Sequence, residues 1–235
     1  MIHQCYFLAD HQSRLFGHEP YRPFGLEPDT NPSLLVNCPE LAAPDVRLAL
    51  VEYGAMLHQW RNSDLDTDPW IGFTSYRQLD KSPVVFNSKD EVRELLDAAD
   101  LVAWYVWDVS RVRLGWLRGA AAQAELSSPR LHAFTNDVLR PFGITIPAAY
   151  FDGTEIPFAN YWAMSREKFD DFMAWSWPVI QHAMLIDHPY KVHVHQLNRL
   201  DHKGKSIGYF MERLFVIWTK LRRLKTAVVG PVVVA

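Results

Sequence analysis

The chain reads as a single α/β domain over residues 1–235, with a mixed, mostly parallel sheet flanked by helices. Three observations predict this class. Short runs rich in β-formers, or wholly apolar, alternate with stretches whose apolar residues recur every three or four positions. With 235 residues and 49% hydrophobic composition, the chain can bury one substantial core. No internal repeat, flexible linker or low-complexity segment divides it.

Each element has its own signal. Ile2-His3-Gln4-Cys5-Tyr6-Phe7-Leu8 predicts a first buried strand whose end is a candidate ligand edge. Residues 17–44 carry Pro20, Pro23, Pro28, Pro32, Pro39 and Pro44 with little periodicity, which predicts a long ordered loop. Pro44 and Asp45 open a helix with Val46, Leu50, Tyr53, Leu57 and Trp60 at helical spacing, and Asn62-Ser63-Asp64 end it. Trp70-Ile71-Gly72-Phe73 predicts a strand leading to a polar tip at residues 74–78. Ser88 and Glu91 form a capping box before Val92, Leu95, Leu96 and Ala99.

The continuously apolar run Leu101 to Trp107 predicts a strand covered on both faces, with Asp108 at its carboxyl end. Helices are expected within 112–126 and 129–140. A strand from Phe158 to Met164 meets Ser165, an N-cap for a long helix from Arg166 to Ile186 that Pro178 should kink. A His-rich connector at 187–195 precedes a last helix near 204–226, within a C-terminal helix and tail at 204–235.

Charge and composition exclude several classes. The 24 Lys+Arg against 27 Asp+Glu give a net charge of −3, too even for a surface that grips nucleic acid, so no nucleic-acid partner is expected. Cys5 and Cys38 lack the number and spacing of a disulfide framework or structural zinc site, and fit a reducing compartment. No apolar run approaches the roughly 20 residues that span a bilayer, and the start lacks the basic and apolar regions of a signal peptide. A cytoplasmic protein is expected. Trp218 to Lys225 mixes apolar residues with Lys220, Arg222, Arg223 and Lys225, a pattern suited to peripheral contact with the anionic inner membrane face.

Three stretches carry a resemblance. Glu52-Tyr53-Gly54-Ala55-Met56-Leu57-His58-Gln59-Trp60-Arg61-Asn62, followed by Asp68-Pro69-Trp70-Ile71-Gly72-Phe73-Thr74-Ser75-Tyr76-Arg77, resembles the signature of a glycosyltransferase-like family associated with capsular polysaccharide and O-antigen biosynthesis. Phe158-Ala159-Asn160-Tyr161-Trp162-Ala163-Met164-Ser165-Arg166-Glu167-Lys168-Phe169 is similar to that family's Asn-containing strand and following helix start. Gly208-Tyr209-Phe210-Met211-Glu212-Arg213-Leu214 resembles its Gly-x-x-x-Glu-Arg-Leu helix. Two positions depart from the pattern: Ser75 stands for the usual His and Gln78 for a second Arg.

The resemblance implies a GT-A-like, Rossmann-like fold that moves a sugar from a nucleotide-sugar donor to a glycan or lipid-linked acceptor. Such chemistry needs a cleft that neutralises a diphosphate and holds an acceptor hydroxyl in line with the anomeric carbon. Arg77, whose paired donors suit phosphate, is the first candidate there. Tyr76, Asn160, Tyr161, Arg213 and His3, the last on a strand like the first strand of such transferases, are candidates for substrate contact. Glu212 and Glu52 are acids within otherwise apolar helical faces, where a buried carboxylate needs a partner; the two readings are one general base with a raised pKa, or a structural Glu–Arg pair, for example with Arg213.

Asp108 is the candidate for ribose or metal contact, but the sequence there is Asp108-Val109-Ser110, without the second acid of an Asp-x-Asp motif. A Mn2+ or Mg2+ cofactor and a metal-independent site using Arg and helix N-terminal amides both remain open. His193 and His195 share one face of an extended segment, yet two imidazoles are not a zinc site. Two competing readings follow: a non-catalytic nucleotide- or carbohydrate-binding relative, and a metal-dependent hydrolase built on the His-rich connector.

Overall fold

The computed structural model describes residues 1–65, 67–146, 155–157, 160–191 and 205–234. Its strands are β1 (Ile2–Tyr6), β2 (Tyr21–Gly25), β3 (Trp70–Ser75), β4 (Leu101–Ala103), β5 (Val106–Asp108), β6 (Arg113–Leu114), β7 (Leu117–Arg118), β8 (Glu155–Pro157), β9 (Trp162–Ser165), β10 (Thr226–Val228) and β11 (Val232–Val234). The helices are α1 (Pro44–Leu50), α2 (Glu52–Arg61), α3 (Gln78–Lys81), α4 (Lys89–Ala98), α5 (Gly119–Ser127), α6 (Leu131–Leu139), α7 (Arg166–Leu185) and α8 (Lys205–Leu221).

Six strands form one sheet in the order β10-β4-β9-β3-β1-β2, and β9 alone runs antiparallel to its neighbours. This is the mixed, mostly parallel sheet that the alternating pattern predicts. Strand period sorts the side chains onto two faces. Ile71, Phe73, Leu101, Trp162 and Met164 join the large core that also takes in α2, α5, α6, α7 and α8. Ile2, Trp70, Val102, Tyr161 and Ala163 join a smaller cluster with Val92 of α4 and with Phe86.

Several boundaries differ from expectation. The proline-rich stretch 17–44 contains β2, which pairs parallel with β1 and places Pro23 opposite Gln4. β2 is an edge strand, where a missing N–H costs no ladder bond. The expected helix from Pro44 is broken into α1 and α2 at Val51, whose φ of 50° no helix accommodates. The apolar run from Leu101 does not form one strand: β4 stops at Ala103, Trp104 turns into the smaller cluster against Phe86, and β5 joins a second sheet between β11 and β8. The 112–126 segment opens with the β6–β7 hairpin before α5 begins. The last helix ends at Leu221, and the tail supplies β10 and β11 to the two sheets.

Other local signals are realised as expected. Ser88 Oγ accepts from Glu91 N at 3.2 Å, while the Glu91 carboxylate accepts from Asn87 N. Ser165 Oγ accepts from Lys168 N at 3.3 Å and starts α7, which continues through Pro178. The helix-end residues Arg61 and Asn62 hold the short helical turns of the 31–42 loop. Arg61 pairs with Glu40 at 2.7 Å, and Asn62 Nδ2 donates to Val36 O at 3.0 Å.

Candidate functional site

β1 and β3 run parallel, so Phe7 and the segment Ser75 to Arg77 leave the same edge of the sheet. Asn160 precedes the antiparallel β9 and reaches that edge too. Carboxyl edges of parallel strands are where ligands bind in open α/β sheets. Here a cleft of about 300 Å³ opens, lined among others by Glu52, Ser75, Tyr76, Arg77, Lys81, Asn160, Tyr209 and Glu212.

Local geometry positions each group. Tyr76 N donates to Cys5 O at 2.9 Å, closing the last rung between β3 and β1. Ser75 Oγ accepts from Arg77 N at 3.2 Å and turns the chain into α3. Thr74 Oγ1 donates to Gln78 Oε1 at 2.7 Å, and Gln78 Nε2 donates to Val84 O at 2.5 Å. Gln78 is completely buried, so a charged Arg in its place would lack water and a counter-ion. The departure at 78 therefore serves the turn.

The walls differ in character. Tyr76 stacks on His11 with ring centroids 3.8 Å apart, and Arg14 lies 5.6 Å from the Tyr76 ring. Arg77 is exposed and donates from Nε to Asp80 Oδ2 at 3.3 Å, a surface pair that a phosphate could displace. Lys81 Nζ sits 5.1 Å from the Tyr161 ring and 5.5 Å from the Tyr105 ring, held over two aromatic faces.

The opposite wall is α8 against the α1–α2 break. Gly208 and Glu212 are four residues apart, so both face the cleft. A Cβ on Gly208 would stand 3.5 Å from Val51 Cγ2, so helix and break are in close contact. Glu212 is half-buried. Burial raises its carboxyl to about 7, with Lys81 and Arg213 opposing the rise and Glu52 adding to it. At neutral pH the carboxyl is therefore divided between its proton-holding and proton-accepting forms.

The cleft thus gathers Tyr76, Arg77, Asn160, Glu52 and Glu212 among the candidates, and adds Ser75, Lys81 and Tyr209. The other candidates lie elsewhere. His3 is wholly buried in β1 beside the rings of Phe24 and Phe73, too deep for a ligand. Tyr161 stands behind the wall, with its hydroxyl 2.6 Å from Ser75 Oγ. Arg213 is buried in the core, and burial pushes it down to about 10. Asp108 ends β5 in the second sheet and accepts from Ser110 N at 2.8 Å, because the strand thought to aim it at the site ends five residues earlier.

His193 and His195 lie outside the described residues. His188 is engaged, with Nδ1 accepting from Tyr190 N at 3.0 Å and Nε2 placed 3.3 Å from Asp137 Oδ2. Among the described residues no three His, Cys, Asp or Glu side chains stand together as a metal ligand set. Among those residues, too, no helix is long and apolar enough to cross a membrane. Trp218 is part of the core and donates to Asp171 at 3.1 Å, which withdraws it from the surface of the basic tail.

An apo structure of WbbM, a bifunctional glycosyltransferase, aligns with this chain at a TM-score of 0.62. The chain has a glycosyltransferase-like fold. The alignment covers 100% of this chain and 45% of the WbbM chain at 14% identity, so this chain spans less than half the length of that one. No family model and no curated protein sequence matches it.

Proposed function

We propose that the protein is a glycosyltransferase that takes a sugar from a nucleoside diphosphate donor and passes it to a glycan or lipid-linked acceptor, in capsule or O-antigen synthesis. One observation carries the catalytic part: two cations and a carboxyl titrating near neutrality line a single cleft at the carboxyl edge of the sheet. The resemblance of the 52–77, 158–169 and 208–214 stretches supports the polysaccharide setting. The glycosyltransferase-like fold is consistent with both.

In this reading Arg77 leaves Asp80 and, with Lys81, holds the diphosphate and the charge that develops on it as the glycosidic bond breaks. Asn160 and Tyr209 orient sugar hydroxyls, and the Tyr76–His11 stack offers an aromatic face to donor or acceptor. Ionised Glu212 accepts the acceptor hydroxyl's proton as that oxygen attacks the anomeric carbon. Glu52 keeps the Glu212 proton affinity high and orders acceptor hydroxyls. Among the described residues the carboxylates lining the cleft are Glu52 and Glu212, and these steps use the chain's own groups.

A panel of nucleotide sugars incubated without acceptor, with release of free sugar as readout, tests the proposal. Slow hydrolysis of one donor is expected, and Glu212→Gln should slow it about 100-fold. Binding without turnover under all conditions would favour a non-catalytic relative. The absence of both binding and turnover would remove the proposal.

A further inference from the structure

The β6–β7 hairpin bears an exposed apolar and cationic surface that the cleft does not explain. From Arg111 to Arg118 the sequence has three arginines and no acid. The register sets Arg113 directly opposite Arg118, an unfavourable pairing of like charges that is eased in part by Arg113 Nη1 donating to Ser110 O at 2.7 Å and Val112 O at 2.9 Å, and that an anion over the pair would relieve further. Both arginines are exposed, as is Arg111, and none of the three forms an ion pair among the described residues. Of the flanking carboxylates, Asp108 accepts from Ser110 N and feels the charge of Arg111, Glu155 stands opposite Asp108 in β8, and Glu125 accepts from Arg130 N and His132 N, which leaves Arg113 and Arg118 as the pair without a carboxylate partner among the described residues.

At the turn, Gly115 takes a φ of 58° and brings Trp116 to the tip. Trp116 is 71% exposed, touching the His132 ring only edge-on at 6.0 Å, and Leu114 is 40% exposed. An indole and a leucine raised on a two-strand ribbon, with guanidinium groups behind them, match a bilayer interface. The ring sits at headgroup level and the cations meet anionic headgroups.

We propose that the β6–β7 hairpin docks this protein on an anionic lipid bilayer. Charge complementarity selects this partner: the cationic pair suits a dense anionic plane, and the protruding Trp116 and Leu114 suit the interface just beneath its headgroups. The role is separate from the cleft chemistry and is read without any activity.

Co-sedimentation of the full chain with vesicles tests it, using phosphatidylcholine alone and with about one-third phosphatidylglycerol. Binding to the anionic vesicles only is expected, weakening as salt rises toward about 0.5 M. R113E/R118E should reduce binding by about tenfold or more, and W116A by several-fold, both with unchanged Tm. K220E/R223E in the basic tail should leave it intact. Equal binding to neutral vesicles, binding indifferent to both hairpin variants, or loss in the tail variant alone would overturn the proposal. So would a vesicle-free dimer of this chain that W116A dissociates, since a second copy would then be the occupant.

Discussion

Glu212 makes a prediction with a definite sign. Its carboxyl titrates near 4.5 when unfolded and at about 7 when folded, so between those values the folded chain holds more protons. Its destabilising contribution is absent below about pH 4.5, grows through the window, and is complete above about 7. Glu212→Gln should therefore raise Tm by about 5 °C at pH 8 and leave it unchanged at pH 4. Thermal denaturation at both pH values checks this, and equal shifts at both would contradict a buried titrating carboxyl. The same proton must leave before Glu212 can act as a base, so donor turnover should rise with pH through about 7. Lys81 opposes the rise in the Glu212 pKa, so Lys81→Met should move that limb to higher pH; a limb that stays in place would separate the two groups.

At the scale of elements, the cleft depends on a break and on a close approach. Val51 is a β-branched residue at φ 50° and ψ −131°, where a side chain is strained, and it precedes Glu52 on the cleft wall. Glycine should thus outdo alanine at position 51 by about 1 kcal/mol, the reverse of their order within a helix. Urea denaturation of the two variants measures it, and an alanine advantage would mean that the break carries no strain. In β3, a Cβ on Gly72 would stand 2.9 Å from Trp162 O and 3.0 Å from Ala163 Cβ. Gly72→Ala should cost about 1–3 kcal/mol as β9 is pushed away, and a neutral result would show that the sheet yields there.

The same elements show what the sequence could and could not disclose. The parallel strands were legible because β1 and β3 are uninterrupted β-forming runs, and α4 and α7 announced themselves by their serine caps. β2 was hidden because prolines argue against strands in general, although an edge tolerates them. Continuous apolarity could not show that Trp104 leaves the strand, since buried strands and buried corners share composition. Lys81 was missed because α3 has only four residues and no periodicity, though its four-residue spacing from Arg77 was a usable sign. Motif order names Arg77, Asn160 and Glu212 as candidates, while only the sheet topology shows that they line one cleft.

For the whole molecule, the proposal rests on that meeting: side chains distant in sequence, brought by β3, β9 and α8 to one edge of the sheet, line the cleft proposed to hold a nucleoside diphosphate. Calorimetric titration of nucleoside diphosphates and their sugars into the wild-type chain and an R77A/K81A variant tests this most directly. The account predicts saturable, salt-sensitive binding of one nucleotide class, weakened about 100-fold or more when both cations are removed from a chain that still folds. Equal affinity in the two proteins, or no nucleotide binding to the wild type, would contradict it.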